Sequence, residues 1–123
     1  MTQKKILVID DDKDIHAVIR ALLGREYNIS SAFDAVQAGI MARQSQPAMI
    51  ILDINLPGGG GEKVYHRLRK MTGLVTVPVL VYTALKREAM EPPIPESAET
   101  VILFKPAAPE AIADAVHKLL PPS

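Results

Sequence analysis

The stretch Met49-Ile50-Ile51-Leu52-Asp53-Ile54-Asn55-Leu56-Pro57-Gly58-Gly59-Gly60-Gly61 decides how the rest of the chain is organised. Its first four residues are apolar, which is typical of a strand in a parallel sheet that is covered on both faces. The strand then ends on a carboxylate, Asp53, which burial would desolvate without an evident partner. In open α/β sheets, ligands bind beyond the carboxyl ends of the strands. Asp53 is therefore the candidate centre of a functional site.

The composition is that of an ordinary globular domain. The chain has 123 residues, of which 48% are apolar and 23% charged, enough for one continuous core. The 14 basic and 14 acidic residues cancel, so charge gives no reason to expect nucleic acid or an anionic membrane as a partner. Without cysteine, disulfides and thiolate metal sites are excluded. The apolar run near the N-terminus is too short for a signal peptide or a membrane span, so we expect a cytoplasmic domain.

Four further predicted strands alternate with helical patterns along the chain. Residues 6–9, 79–82 and 100–104 are apolar runs, and residues 27–32 alternate apolar and polar side chains, as in a half-exposed edge strand. The helical stripes are Ile15, Val18, Ile19, Leu22 and Leu23, predicted to be mostly core; Ala35, Ala38, Met41 and Ala42; Val64, Tyr65, Leu68 and Met71, ending near Gly73; and Ile112, Val116, Leu119 and Leu120. Strands that alternate with helices predict right-handed βαβ units and a doubly wound parallel sheet.

The segment between the fourth and fifth strands breaks this alternation. A helix is expected there, but Pro92, Pro93 and Pro95 exclude any long one. We predict at most one or two turns within residues 86–90 and irregular backbone after them.

Four of the five predicted strands end on a polar side chain. These side chains are Asp10 with Asp11, Asp53, Thr83 and Lys105, and in a parallel sheet they meet at one edge. Three close carboxylates repel one another and need a proton or a cation, and oxygen ligands favour Mg²⁺. With the ammonium of Lys105 and the hydroxyl of Thr83, this edge would form a cradle for a phosphoryl group transferred to Asp53.

Four segments of this sequence resemble the receiver domain of two-component response regulators. They are Ile6-Leu7-Val8-Ile9-Asp10-Asp11-Asp12, Ile51-Leu52-Asp53-Ile54-Asn55-Leu56-Pro57-Gly58, Val79-Leu80-Val81-Tyr82-Thr83-Ala84 and Phe104-Lys105-Pro106. Their order and spacing are specific, and the resemblance covers nearly the whole chain. It implies a single flavodoxin-like α/β domain over residues 1–123, with a five-stranded parallel sheet in the order 2-1-3-4-5 and helices on both faces.

The resemblance also implies a role for each residue of the strand-end cluster. Asp53 would accept a phosphoryl group from a histidine kinase or a histidine phosphotransfer protein, and Thr83 and Lys105 would contact the phosphoryl oxygens. The ligands of Mg²⁺ would be three carboxylates and one main-chain carbonyl, those of Asp10, Asp11, Asp53 and Asn55. The domain would be a signalling switch in a phosphorelay that catalyses its own phosphorylation and dephosphorylation. A downstream effector protein or domain would be its second partner.

Three features depart from the family pattern. Ile102 stands where the family usually has an aromatic residue whose rotamer reports phosphorylation, so the usual pairing of that residue with Thr83 is not expected. The prolines disrupt the family's fourth helix, so we predict that signalling does not use the common dimer of fourth helix, fifth strand and fifth helix. Leu85 places an apolar side chain near the phosphoryl site, and our hypothesis is that it slows the access of hydrolytic water.

Two alternative functions use the same residues. A pseudo-receiver would be a protein-interaction module on this fold that is neither phosphorylated nor bound to Mg²⁺, and the complete set of Asp11, Asp53, Thr83 and Lys105 argues against it. A small phosphohydrolase would need a second acid near Asp53 as a general base, and Asn55 occupies the obvious position for that acid.

The histidines and the glycine-rich segment are not predicted to be functional sites. His16, His66 and His117 lie among charged neighbours on separate helices and are predicted to be solvated. Residues 58–61 lack a following Gly-Lys-Ser/Thr and are interpreted as the turn into the third helix, not as a nucleotide loop. Residues 121–123 are typical of the start of a linker, which is compatible with a longer protein. No direct nucleic-acid binding is predicted for this chain.

Overall fold

The computed structural model of the chain describes residues 2–57 and 60–123. Within them, five strands form one parallel sheet: β1 (Lys5–Ile9), β2 (Asn28–Ala32), β3 (Met49–Leu52), β4 (Val79–Thr83) and β5 (Thr100–Phe104). The four helices of the described residues are α1 (Lys13–Leu23), α2 (Ala35–Ser45), α3 (Gly61–Arg69) and α4 (Pro109–Leu119). The strand order is β2-β1-β3-β4-β5. The predicted doubly wound fold and its strand order are confirmed.

A layer of apolar side chains covers each face of the sheet. On one face, alternate residues of the central strands pack with α2 and α3. On the other face, the intervening residues pack with α1 and α4. All four residues of β3 are buried, as the continuous apolar run predicts. Burying an aliphatic side chain of this size contributes about 1.5–3 kcal/mol, so packing fixes β3 and with it the position of Asp53.

Three of the helices begin at residues that favour a helix start. Asp12 caps α1 by accepting the backbone N–H of Asp14 at 2.9 Å. Asp34 caps α2 by accepting the N–H of Gln37 at 2.8 Å. Pro109 occupies the first turn of α4. These caps fix the points at which the chain leaves the sheet edge.

Helix α3 ends at Arg69, earlier than the predicted end near Gly73. The next two N–H groups bond three residues back, Lys70 to the carbonyl of Arg67 and Met71 to that of Leu68, at 3.1 and 3.0 Å. Bonds of this span close a tighter turn than an α-helical one and end the α-helix. The apolar pattern continued past the end of the helix because Met71 still packs against the core.

The connection from β4 to β5 is irregular apart from one 3₁₀ turn, Arg87–Ala89, in the described part of the chain. This confirms the effect predicted for the three prolines. Met90 and Ile94 are nevertheless buried, in the same cluster as α2 and α3. The carboxylate of Glu62, at the start of α3, accepts the backbone N–H of Glu91 at 2.9 Å. The connection is therefore packed against the domain although it is not helical.

Arg69 joins the end of α3 to the start of β5. Its guanidinium donates to five oxygens, those of Tyr65 Oη, Thr100 Oγ1 and the carbonyls of Leu74, Val77 and Glu99. Charged donors form the stronger class of hydrogen bonds, about 1.5–3 kcal/mol each. This network joins the end of α3 to the amino ends of β4 and β5, at the opposite end of the sheet from the acidic residues.

Two expectations for α1 are wrong. Val18 was predicted to lie in the core stripe, but it is 46% exposed. The contact surface of α1 is centred on Ile19 and Leu23, and Val18 is rotated by about 100° from Ile19 around the helix axis. His16 was predicted to be solvated, but it is 4% exposed, because its ring turns toward the end of β2. In the residues that can be described, no helix has the length and apolarity needed to cross a membrane.

Candidate functional site

Asp53 lies at the end of β3 with a side chain that is surrounded by donors. The residue is 6% exposed. Its Oδ1 accepts the hydroxyl of Thr83 at 2.7 Å and the backbone N–H of Asn55 at 2.9 Å. Its Oδ2 accepts the ammonium of Lys105 at 3.1 Å. The polar groups predicted to follow β3, β4 and β5 therefore meet at one carboxylate.

Lys105 also pairs with Asp10, the residue that follows β1. Its Nζ lies 2.8 Å from Oδ2 of Asp10, which is 2% exposed. The other oxygen of Asp10 accepts the N–H of Asp12 at 2.9 Å. The backbone N–H of Lys105 donates to the carbonyl of Thr83 at 2.8 Å, which holds the end of β5 beside β4. One ammonium thus bridges two carboxylates that are 95 and 52 residues away in sequence.

Burial and the neighbouring charges have opposite effects on the pKa of Asp10 and on the pKa of Lys105. Burial raises the pKa of the Asp10 carboxyl, and the hydrogen bonds from Lys105 and Asp12 offset this only in part. Burial alone would lower the pKa of the Lys105 ammonium, but its hydrogen bonds and its attraction to Asp10 and Asp53 outweigh burial and raise that pKa. Lys105 is therefore held in its charged form between the carboxylates.

The acidic residues fit a hard divalent cation. Asp10, Asp11 and Asp53 each offer a carboxylate oxygen, and these oxygens lie within 4.8 Å of one another. Three carboxylates against one ammonium leave an excess of negative charge at the edge. Asp11 is exposed, so the cluster opens to solvent on one side. An all-oxygen donor set that is open to water suits Mg²⁺, which keeps part of its hydration shell in proteins.

The start of α3 packs directly against the backbone after β3. The N–H of Gly61 donates to the carbonyl of Ile54 at 2.8 Å. A Cβ added at Gly61 would lie 2.2 Å from the Cα of Ile54, so only glycine fits this approach. Asn55 is exposed, and its backbone N–H donates a hydrogen bond to the carboxylate of Asp53. The role of its main-chain carbonyl as a metal ligand stays a prediction. Gly58 and Gly59 of the predicted turn lie outside the described residues.

The sequence pattern of the response regulator receiver domain matches residues 6–117 of this chain. The chain belongs to that family. A solved receiver domain from Bermanella marisrubri is 30% identical, with a TM-score of 0.81 over 98% of this chain and 99% of that one. The receiver domain of sensor histidine kinase PA1611 from Pseudomonas aeruginosa was solved with a magnesium ion coordinated in its active site cleft. It has a TM-score of 0.81 over 94% of this chain and 96% of that one, and at 21% identity it shows the shared fold.

A curated relative of this receiver domain is a longer protein. The DNA-binding dual master transcriptional regulator RpaA of Synechocystis sp. is 38% identical over 82 residues. The match covers 66% of this chain and 34% of that protein. The matched segment therefore makes up about a third of that regulator.

Ile102 and Leu85, the two residues predicted to set this site apart, occupy different places in the structure. Ile102 is buried in β5, as an aliphatic side chain in the core cluster. The hydroxyl of Thr83 donates to Asp53 and accepts the backbone N–H of Leu85 at 3.2 Å. Leu85 itself is half-buried and packs against the core, next to the strand-end cluster. The second residue after β4 is thus hydrogen-bonded to the same hydroxyl as Asp53.

Sequence reasoning missed His16 as a neighbour of the site. Its Nε2 lies 2.7 Å from the carbonyl oxygen of Asp10, and its Nδ1 lies 2.9 Å from Oγ of Ser31 in β2. A signal for this position was available, because His16 shares a helix face with Ile19 and Leu23 at spacings of three and seven residues. The charged neighbours in sequence obscured that signal.

Proposed function

We propose that this receiver domain accepts a phosphoryl group on Asp53 in an Mg²⁺-dependent reaction and acts as a switch in a phosphorelay. The observation that carries the proposal is the environment of one carboxylate. Asp53 accepts hydrogen bonds from Thr83 and Lys105, and it lies with Asp10 and Asp11 in one cluster of carboxylates. The proposed domain comprises residues 1–123. The proposed phosphodonor is a phosphohistidine of a histidine kinase or phosphotransfer protein.

The transfer itself exchanges one bond to phosphorus for another. An oxygen of Asp53 forms the new bond, the bond from phosphorus to the donor imidazole nitrogen breaks, and that nitrogen keeps the electron pair. Lys105, which already contacts Asp53, would transfer its ammonium contact to a phosphoryl oxygen. The hydroxyl of Thr83 would donate a hydrogen bond to another phosphoryl oxygen, in place of its present hydrogen bond to Asp53.

A metal ion would complete this set. Bound Mg²⁺ would neutralise charge on the carboxylates and on the phosphoryl oxygens. The residues that would hold it are Asp10, Asp11, Asp53 and, through its main-chain carbonyl, Asn55. The oxygen donors of the three aspartates, within 4.8 Å of one another, support this assignment. So does the magnesium ion in the Pseudomonas aeruginosa receiver domain of the same fold.

We propose two protein partners for this domain, a phosphodonor and an effector. A histidine kinase or phosphotransfer protein would supply the phosphoryl group, and a downstream effector protein or domain would read the phosphorylated state. The cytoplasm is the proposed compartment, as the sequence predicts. The curated relative RpaA, described as a DNA-binding transcriptional regulator, is one example of a longer protein that contains a matching segment.

Intact-mass measurement after incubation with a small-molecule phosphodonor tests the proposal. We expect one phosphoryl adduct on the wild-type chain with Mg²⁺, and none after chelation of the metal. Asp53→Asn should abolish the adduct, whereas Asp114→Asn, at an exposed carboxylate on α4, should leave it unchanged. If no adduct forms and calorimetry detects no Mg²⁺ binding, the proposal fails and a pseudo-receiver becomes the better account.

A further inference from the structure

His16 is a buried histidine outside the set of side chains assigned above. It is 4% exposed, on α1, and its ring lies 4.4 Å from that of Phe33, centroid to centroid. Both ring nitrogens have a partner: Nε2 the carbonyl oxygen of Asp10, and Nδ1 the hydroxyl of Ser31. The ring is therefore fixed by packing on one side and by hydrogen bonds at both ends.

The partners determine which nitrogen of His16 carries the proton. The carbonyl of Asp10 can only accept, so Nε2 must donate to it. The hydroxyl of Ser31 also accepts from the guanidinium of Arg20 at 3.0 Å. Its own proton is then available for Nδ1 of His16. The result is a directed chain of hydrogen bonds from Arg20 through Ser31 and His16 to the backbone of Asp10.

Asp10 is held at each of its polar groups. Its backbone N–H donates to the carbonyl of Ala32 at 3.1 Å, and its carboxylate accepts from Asp12 and Lys105. Its carbonyl, in a residue that is 2% exposed, accepts from His16 at 2.7 Å. That carbonyl belongs to the peptide group that joins Asp10 to Asp11. Its orientation therefore bears on the direction of both side chains.

We propose that His16 is a positioning residue for the cation site. By holding the carbonyl of Asp10, it fixes the peptide group between Asp10 and Asp11 and thereby sets the angle at which the two carboxylates face Asp53. The inference rests on the proposed function in one respect only, that Asp10 and Asp11 hold Mg²⁺. Without the donor at Nε2, a buried carbonyl loses its partner and the peptide group can turn toward another donor. Asp11 is exposed, so little else restrains its carboxylate.

Two amide substitutions separate the two contacts of His16. In His16→Gln the side-chain nitrogen lies near the place of Nε2 and can still donate to the carbonyl of Asp10. In His16→Asn the shorter side chain places its amide near Nδ1, within reach of Ser31 but not of Asp10. Both variants lose the ring, so the loss of contact with Phe33 is common to them. A difference between them isolates the hydrogen bond to Asp10.

The Mg²⁺ dissociation constant is the first readout, measured by titration calorimetry at a temperature where circular dichroism shows every variant to be folded. Loss of a partner that orients a metal ligand typically weakens binding by about 10–100-fold, so we expect His16→Asn to bind Mg²⁺ about tenfold more weakly. His16→Gln should bind close to wild type. His117→Asn, at a partly exposed histidine on α4, serves as the control and should not change binding.

The backbone amide of Asp11 gives a second readout that needs no metal. Its nitrogen shares the peptide group with the carbonyl of Asp10, so its ¹⁵N chemical shift responds to the bond from His16. We expect a shift change in His16→Asn and a smaller one in His16→Gln. Equal Mg²⁺ affinities and equal Asp11 shifts in the two variants would overturn the inference. If the wild type binds no Mg²⁺, the proposed function fails instead, and the Asp11 shift still decides whether His16 orients the peptide.

Discussion

Gly61→Ala should damage both the stability of the domain and its reaction with a phosphodonor. The added Cβ would lie 2.2 Å from the Cα of Ile54 and 2.8 Å from the carbonyl oxygen of Asp53. Both atoms belong to the backbone immediately after β3. No side-chain rotation can relieve the contact, so either the start of α3 or the end of β3 must move.

The size of the effect follows from the distances. Ordinary van der Waals contact begins at 3.4 Å, so the two backbones would have to separate by about 1 Å in a close-packed interior. Overpacking typically costs about 1–3 kcal/mol, and we expect about 3 kcal/mol because both sides are backbone. A shift of about 1 Å in a reacting group can lower a rate by about 10²-fold, so phosphorylation of Asp53 should slow by a similar factor.

Gly39→Ala is the matched control, since it makes the same substitution inside α2. A Cβ at Gly39 would meet nothing within 4 Å, and alanine is the better helix former by about 1 kcal/mol. Urea denaturation should therefore show Gly39→Ala stabilised and Gly61→Ala destabilised. Intact-mass kinetics should show a normal phosphorylation rate for Gly39→Ala. Wild-type stability together with a wild-type rate for Gly61→Ala would refute the reasoning.

Three further predictions concern charge, the α3 network and water access. Lys105→Met leaves two buried carboxylates without their cation, so the free energy of unfolding of the metal-free domain should fall by about 3 kcal/mol. Added Mg²⁺ should then raise the free energy of unfolding of this variant by more than it raises that of the wild type. Equal gains from Mg²⁺ in urea denaturation would contradict this. Arg69→Met removes donors from several carbonyls and should cost roughly 3 kcal/mol. The control Arg67→Met, at an exposed position of the same helix, should stay within about 0.5 kcal/mol. Leu85→Glu should shorten the lifetime of the phosphoryl group, and an unchanged half-life would reject the shielding hypothesis.

The fold was predictable because each strand carries its own signal. A strand buried on both faces must be apolar along its buried length, and β3 is, as is β4 up to the polar Thr83 at its end. The helix starts were also predictable, since Asp12 and Asp34 satisfy free N–H groups locally. The exposure of Val18 was not, because it depends on how α1 is rotated against the sheet. An apolar pattern gives the width of a helix face but not the line of contact within it.

The site was predictable to the extent that topology alone brings residues together. Parallel strands end at one edge, so the meeting of Asp53 with Thr83 and Lys105 follows from their places at strand ends. The bridging position of Lys105 between two carboxylates does not follow, because it depends on side-chain angles. The burial of His16 was missed for a related reason. Its partners come from β2 and from the backbone of Asp10, which local sequence does not relate to it.

The connection between β4 and β5 explains in physical terms why a common receiver dimer is not predicted for this chain. Met90 and Ile94 supply the apolar side chains that complete the core on that side, and Glu62 fixes the backbone between them. The core is therefore closed without a helix. Helix packing at an interface needs ridges formed by side chains three and four residues apart, and irregular backbone presents none. The irregular connection therefore gives a physical reason for the prediction that signalling does not use the common receiver dimer.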